Sequence, residues 1–126
     1  MSMQGAKVKL TDGEMTTVRA AMHAILIDYA RQRKTITYSE LAVQLPIYLH
    51  PHSFVFSRLL RDVCGAAFAA GEGQLCALVV SKQTGLPSSG YFVGTAAPGR
   101  DMSDLEAAWR EDLNAVFERW METRDA

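Results

Sequence analysis

Residues 53–93 decide the fold class, and they read SFVFSRLLRDVCGAAFAAGEGQLCALVVSKQTGLPSSGYFV. In residues 53–70 the apolar side chains recur mostly three or four positions apart, which predicts an amphipathic helix that faces a core. The predicted core positions are Val55, Leu59, Leu60, Val63, Ala67 and Phe68. Residues 74–81 are a nearly continuous apolar run between turn-forming residues, and this pattern predicts a buried strand. A polar turn at residues 82–90 and a short apolar segment at residues 91–93 complete a predicted β-hairpin.

Two helices and a short extended segment are predicted before this region. The first helix begins with a capping-box pattern, Thr11 to Glu14, and carries apolar residues at helical spacing. Residues 35–38 are β-branched and aromatic, which favours an extended backbone. Ser39 is the predicted N-cap of a short helix over residues 40–44, which ends before a proline.

A helix with two tryptophans follows the predicted hairpin. Ser103 and Glu106 form a second capping-box pattern, which predicts the start of this helix, and it runs to about residue 121. Its apolar stripe has two alternative roles, because large aromatic side chains are used both in domain cores and at interfaces with a partner. The stripe consists of Leu105, Trp109, Leu113, Val116, Phe117 and Trp120.

The order of these elements predicts the fold. Two helices followed by a β-hairpin are typical of a winged helix-turn-helix, so we expect a small α+β fold with a single domain over residues 1–126. In such a fold the helix of residues 53–70 is the recognition helix, and residues 85–90 form the tip of the wing. The N-terminal helix and the C-terminal helix are expected to close the core.

Composition and charge narrow the classes of protein. The chain has 126 residues, no apolar run long enough to span a bilayer and no apolar stretch of a secretory signal at its start, so we expect a cytoplasmic protein without a membrane partner. The net charge of −1 argues against attachment to nucleic acid by bulk charge alone. Residues 1–82 hold nine basic and six acidic side chains, whereas residues 83–126 hold four and eight. The half with the predicted recognition helix is therefore basic, which leaves room for a local nucleic-acid surface.

The cysteines and histidines predict neither a cofactor nor a metal. Cys64 and Cys76 both lie among apolar residues, and we expect buried, reduced thiols rather than a disulfide framework. His50 and His52 are separated by a proline and have no cysteine close to them in sequence. With His23 they do not form the pattern of a tetrahedral zinc site, so we expect no bound metal.

Two further segments carry a resemblance to a known family. Residues 37–42 read TYSELA and residues 75–80 read LCALVV, and Arg58 lies between them. In the order of these parts the chain resembles the winged-helix domain of alkylguanine-DNA alkyltransferases and of the alkyltransferase-like proteins. The resemblance implies that Tyr38 approaches a DNA phosphate, and that Arg58 on the recognition helix fills the gap left by a flipped base.

The chain departs from this family at the active-site cysteine. The family's motif is Pro-Cys-His-Arg, in which the histidine generates the reactive thiolate. Here Leu75, Ala77 and Leu78 stand in place of the proline, the histidine and the arginine. Without a base or a cation beside it, Cys76 is expected to stay a thiol. We therefore predict a protein that is not an enzyme and has no catalytic residues.

Two functions follow from these patterns. The first is DNA binding by a winged helix without catalysis, in which two arginines face the groove and the other side chains approach phosphates. The residues predicted to bind DNA are Tyr38, Ser39, Ser57, Arg58, Arg61, Lys82, Ser88 and Ser89. The alternative is a protein interaction module or a homodimer, with a contact surface formed by Leu105, Trp109, Leu113 and Trp120.

Overall fold

Within residues 9–96 and 99–124 of a computed structural model, with side chains described as far as residue 121, the chain forms five α-helices and a pair of very short strands. The predicted α+β class is therefore confirmed. No helix in these ranges is long and apolar enough to cross a bilayer. In chain order the elements are α1 (Asp12–Arg31), β1 (Ile36–Thr37), α2 (Tyr38–Gln44), α3 (Phe54–Ala69), a 3₁₀ turn (Leu75–Leu78), β2 (Val79–Val80), α4 (Ser89–Thr95) and α5 (Leu105–Arg124).

Helix α1 begins where the sequence predicts. The Thr11 hydroxyl accepts a hydrogen bond from the Glu14 N–H at 3.1 Å, and the Glu14 carboxylate accepts one from the Thr11 N–H at 2.9 Å, so the capping box is confirmed. Val18, Met22 and Leu26 lie on the inner face of α1 and are fully buried. Because α1 packs against both α3 and α5, these side chains form the centre of the core.

The short helix α2 begins earlier than predicted. Its N-cap is Thr37, whose hydroxyl accepts from the Glu40 N–H at 3.1 Å, and Glu40 accepts in return from the Thr37 N–H at 2.9 Å. Ser39 is therefore not the cap but the second residue of the helix, and it is exposed. The reason is that a reciprocal capping box satisfies two backbone N–H groups, whereas a lone serine satisfies one.

The apolar run of residues 74–81 is mostly not a strand, contrary to the prediction. Most of it is the 3₁₀ turn, and only Val79–Val80 is extended. This segment, β2, pairs in parallel with β1, with Ile36 opposite Val79 and Thr37 opposite Val80. Parallel neighbours need a crossover connection, and α2 and α3 supply it here.

The predicted β-hairpin is wrong. After β2 the Ser81 N–H donates to the Leu86 carbonyl at 2.8 Å and the Gly85 N–H donates to the Ser81 carbonyl at 2.8 Å, so the chain closes on itself in a tight turn. Gly85 adopts a positive φ of 73°, which a glycine tolerates without strain. Pro87 then removes a backbone donor that a returning strand would need. Residues 91–93, predicted as the second strand of a wing, lie in α4 instead.

The two cysteines form a disulfide, contrary to the prediction of reduced thiols. Cys64 in the last turns of α3 and Cys76 in the 3₁₀ turn are bonded, with their Cα atoms 5.7 Å apart. The 3₁₀ turn packs directly against α3, which brings the two residues together although 12 positions separate them in sequence. The disulfide therefore joins the end of α3 to the segment that leads into β2.

Helix α5 begins one residue later than its predicted capping box. Asp104 is the capping residue, because its carboxylate accepts from the Ala107 N–H at 3.1 Å. Ser103 instead donates its N–H and its hydroxyl to the same carboxylate oxygen of Asp101, at 2.9 and 2.7 Å. These hydrogen bonds from Ser103 hold the pKa of Asp101 below its usual range.

The tryptophans of α5 lie in the core rather than at an interface. Trp109 is 7% exposed and donates its indole N–H to the Ala77 carbonyl at 2.8 Å. Trp120 is also buried and donates to the Glu72 carbonyl at 3.1 Å. Three of the four residues predicted to contact a protein partner, Trp109, Leu113 and Trp120, are thus buried within the chain, and Leu105 alone among them is exposed. A side chain that fills the core of a small domain is not available to a partner. The prediction that these residues form a contact surface is therefore wrong.

Candidate nucleic-acid interface

Helix α3 presents one continuous exposed face. Its side chains recur at intervals of four, three, four and three positions, which places them on the side of the helix opposite the core. We call this face the α3 stripe, and it consists of Phe54, Arg58, Arg61, Gly65 and Phe68, all exposed. At a rise of 1.5 Å per residue it is about 21 Å long between its two end Cα atoms.

The two arginines of the α3 stripe keep an unbalanced positive charge. Within the described residues neither Arg58 nor Arg61 forms an ion pair. Asp62, the nearest carboxylate in sequence, pairs with Arg19 of α1 at 3.7 Å. Two guanidinium groups one helical turn apart therefore face solvent together, which is an arrangement suited to phosphate or base contacts.

An open cleft of about 800 Å³ lies between α3 and α4. Its apolar inner surface includes Phe56, Leu60 and Val79, and the disulfide also borders it. The polar side chains that line this α3–α4 cleft are Tyr38, Ser57, Arg61, Gln74, Ser88, Ser89, Tyr91 and Thr95. The cleft therefore combines an apolar base with hydroxyl groups and one guanidinium at its edge.

Tyr38 of α2 holds the start of α4 beside the α3–α4 cleft. Its phenolic oxygen accepts a hydrogen bond from the Ser88 N–H at 3.0 Å, 50 positions away in sequence. The phenolic proton is not used in this bond, so the hydroxyl retains a donor. Tyr38 thus fixes the start of α4, and Ser88 precedes that helix with a hydroxyl that makes no capping bond.

A polar cluster holds α4 against α5. The Tyr91 hydroxyl donates to the Asp112 carboxylate, and Arg100 donates to the other oxygen of that carboxylate at 2.8 Å. Arg100 also donates to the carbonyls of Thr95 and Ala108, at 3.1 and 3.0 Å. Burial, and then the hydrogen bond to Asp112, raise the pKa of Tyr91 far above its ordinary value. This cluster fixes the outer wall of the cleft.

The structure brings together most of the residues predicted to bind DNA. Five of them, Tyr38, Ser57, Arg61, Ser88 and Ser89, line the α3–α4 cleft. Arg58 lies one turn from Arg61 on the α3 stripe. Ser39 and Lys82 are exposed but do not line the cleft. The predicted residues thus form one group of six with two outliers.

Sequence reasoning missed the aromatic members of this surface. Phe68 was expected on the core face of its helix, but it is 57% exposed and lines the cleft. Phe54 is 73% exposed. A signal was present, because both residues lie at helical spacing from Arg58 and Arg61 on the polar side of α3. The true core residue among these phenylalanines is Phe56, which is fully buried.

Other polar groups of the described residues form no comparable site. A second depression of about 390 Å³ lies near Arg100, Asp101 and Asp104, whose side chains cap or tether the ends of α4 and α5. No group of three or more histidine, cysteine, aspartate or glutamate residues is placed to hold a metal in the described part of the chain. His23 is hydrogen-bonded to Glu72 at 2.7 Å.

The α3 stripe and the α3–α4 cleft share Arg61, Gly65 and Phe68, so they form one continuous surface. Its charge comes from arginine and its shape from the separation of two helices. Comparison of the chain with family models, with curated proteins and with solved structures finds no match.

Proposed function

We propose that the protein binds DNA, without catalysing a reaction on it, through the α3 stripe and the edge of the α3–α4 cleft. The observation that carries this proposal is the pair of exposed arginines, Arg58 and Arg61, which form no ion pair within the described residues. Uncompensated guanidinium groups on one helical face attract phosphates and reach base edges. The net charge of −1 means that this attraction acts locally.

In this proposal α3 has the role of the recognition helix of a winged helix-turn-helix. The segment of residues 82–95, with its tight turn and α4, takes the place that the wing was expected to occupy. Ser88 and Ser89 would then approach phosphates beside the helix. The resemblance to alkyltransferase-like proteins supports the same orientation, because it implies that Tyr38 faces DNA, and Tyr38 lines the cleft.

The state of Cys76 supports binding rather than catalysis. Its sulfur is bonded to Cys64, and the neighbouring Ala77 and Leu78 supply neither a base nor a cation. A disulfide sulfur is not a thiolate nucleophile. We also propose a cytoplasmic location, where glutathione and thioredoxin would convert this pair to a dithiol. The reduced Cys76 would still have Ala77 and Leu78 as its sequence neighbours, which supply nothing that stabilises a thiolate.

The proposal is tested by fluorescence anisotropy with labelled DNA at increasing salt. Arg58→Gln and Arg61→Gln should each weaken binding and should each reduce the slope of log affinity against log salt by about 0.7–0.9 where a phosphate contact is lost. Arg110→Gln is the matched control, because it removes the same charge from an exposed arginine that pairs with Glu106 on α5. Absence of binding at low salt, or equal losses for all three variants, contradicts DNA binding through α3.

A further inference from the structure

Two phenylalanine rings lie exposed at the ends of the α3 stripe. Phe54 is 73% exposed and Phe68 is 57% exposed, and neither belongs to the core cluster or to the partly buried residues packed on it. Within the described residues neither ring stacks on another aromatic ring or on a cation. Both rings therefore present free aromatic faces to solvent.

The two arginines stand between these rings. Along α3 the order is a phenyl ring at position 54, guanidinium groups at 58 and 61, and a phenyl ring at 68. Proteins that bind single strands combine aromatic side chains, on which bases stack, with positive groups that follow the backbone. At a rise of 3.4 Å per nucleotide, the length of about 21 Å between the end residues corresponds to roughly six stacked nucleotides.

The space beside the arginines also suits a close strand. Gly65 lies between Arg61 and Phe68, and a Cβ atom built there would meet nothing within 4 Å. The helix backbone is therefore open to approach at this position. Phe68 lines the α3–α4 cleft, so a base stacked on it would lie at the edge of that cleft.

We propose, on the basis of the DNA-binding function above, that the preferred ligand is single-stranded DNA whose unpaired bases stack on Phe54 and Phe68 while Arg58 and Arg61 hold its phosphates. In a duplex the faces of the bases are already stacked on one another. An exposed phenyl ring finds there only a thymine methyl group in the major groove. Stacking on the two rings therefore contributes more binding free energy with a single strand than with a duplex.

The test compares labelled oligothymidylate with the same strand annealed to oligodeoxyadenylate, by fluorescence anisotropy on the full chain. The single strand is expected to bind at least about tenfold more tightly than the duplex. Phe54→Leu and Phe68→Leu keep an apolar side chain but remove the aromatic face, and each should weaken single-strand binding by roughly 5- to 100-fold. Both positions are exposed, so the variants are expected to fold.

Two further variants separate stacking from general loss of apolar surface. Phe68→Tyr keeps a ring and should retain single-strand affinity. Val43→Ala shortens an exposed apolar residue on α2, away from the α3 stripe, and should change nothing. Duplex binding as tight as single-strand binding, or unchanged affinity of both leucine variants, overturns this inference but leaves DNA binding intact. If the unaltered chain binds neither the single strand nor the duplex, the proposed function is overturned as well.

Discussion

Removal of the Cys64–Cys76 disulfide should destabilise the fold by an amount that follows from its position. The bond joins residues 12 positions apart, so it closes one loop of the unfolded chain. In the chain-entropy account a loop of this length loses about 9–10 cal/mol/K of unfolded-state entropy, which corresponds to about 3 kcal/mol of stability at 25 °C. That is a large share of the roughly 5–15 kcal/mol that stabilise an ordinary domain.

The assay is denaturant and thermal unfolding followed by circular dichroism, with and without a dithiol reductant. Reduction should lower the free energy of unfolding by about 3 kcal/mol, which for a chain of this size lowers the melting temperature by roughly 10–15 °C. The double variant Cys64→Ala/Cys76→Ala should match the reduced protein and should not respond to reductant. It therefore separates the effect of the bond from any other effect of the reagent.

Two outcomes would refute this reasoning. In the first, protein purified without reductant shows two free thiols on mild denaturation, which means that the bond does not form. In the second, oxidised and reduced protein unfold at the same denaturant concentration. The packing of the 3₁₀ turn on α3 would then hold residues 64–76 without the covalent link.

Two other predictions concern the polar cluster on α4 and the N-cap of α2. Since the pKa of Tyr91 in the folded state lies above its ordinary value of 10.0, its contribution to stability is present below about pH 10 and is lost as the pH rises further. Tyr91→Phe should therefore lower the melting temperature at neutral pH and weaken the alkaline pH dependence, and a variant with the full wild-type dependence would contradict the raised pKa of Tyr91. Thr37→Ala should cost about 1 kcal/mol in urea unfolding and Ser39→Ala less than about 0.5 kcal/mol, because Thr37 supplies the cap. The reverse order would mean that Ser39 caps α2.

The sequence predicts the long helices well and the short segments poorly. Helices α1, α3 and α5 each extend over several turns, so their apolar spacing repeats often enough to identify a helical period. The run of residues 74–81 has no such repeat, and a short apolar run fits a strand or a turn equally well. Its outcome depends on β1, far away in sequence, with which only two residues pair. The disulfide likewise depends on the packing of two separate elements, α3 and the 3₁₀ turn.

The candidate site is predictable where it depends on one helix. Arg58 and Arg61 fall on the polar side of α3 from spacing alone, and the structure places them there. Phe68 is predicted on the core face of α3 because it is apolar. Its position along the helix matches that of the arginines, and the structure exposes it. The α3–α4 cleft was not predictable, because it requires residues 89–95 to be a helix, and that helix is held by a hydrogen bond from Tyr91 to Asp112, which lies 21 positions further along the chain.

Helix α4 has no buried residue: only Tyr91 and Phe92 pack on the core, and both are partly exposed. Polar contacts of Tyr91 with Asp112 and of Tyr38 with Ser88 complete its attachment. A segment that buries so little apolar surface opens with a smaller free energy than global unfolding requires. Amide hydrogens of α4 should therefore exchange with deuterium well before those of α1 and α3. Because α4 forms one wall of the cleft, the volume of the cleft depends on the equilibrium between attached and detached α4. That volume is then an average over an ensemble rather than a fixed dimension.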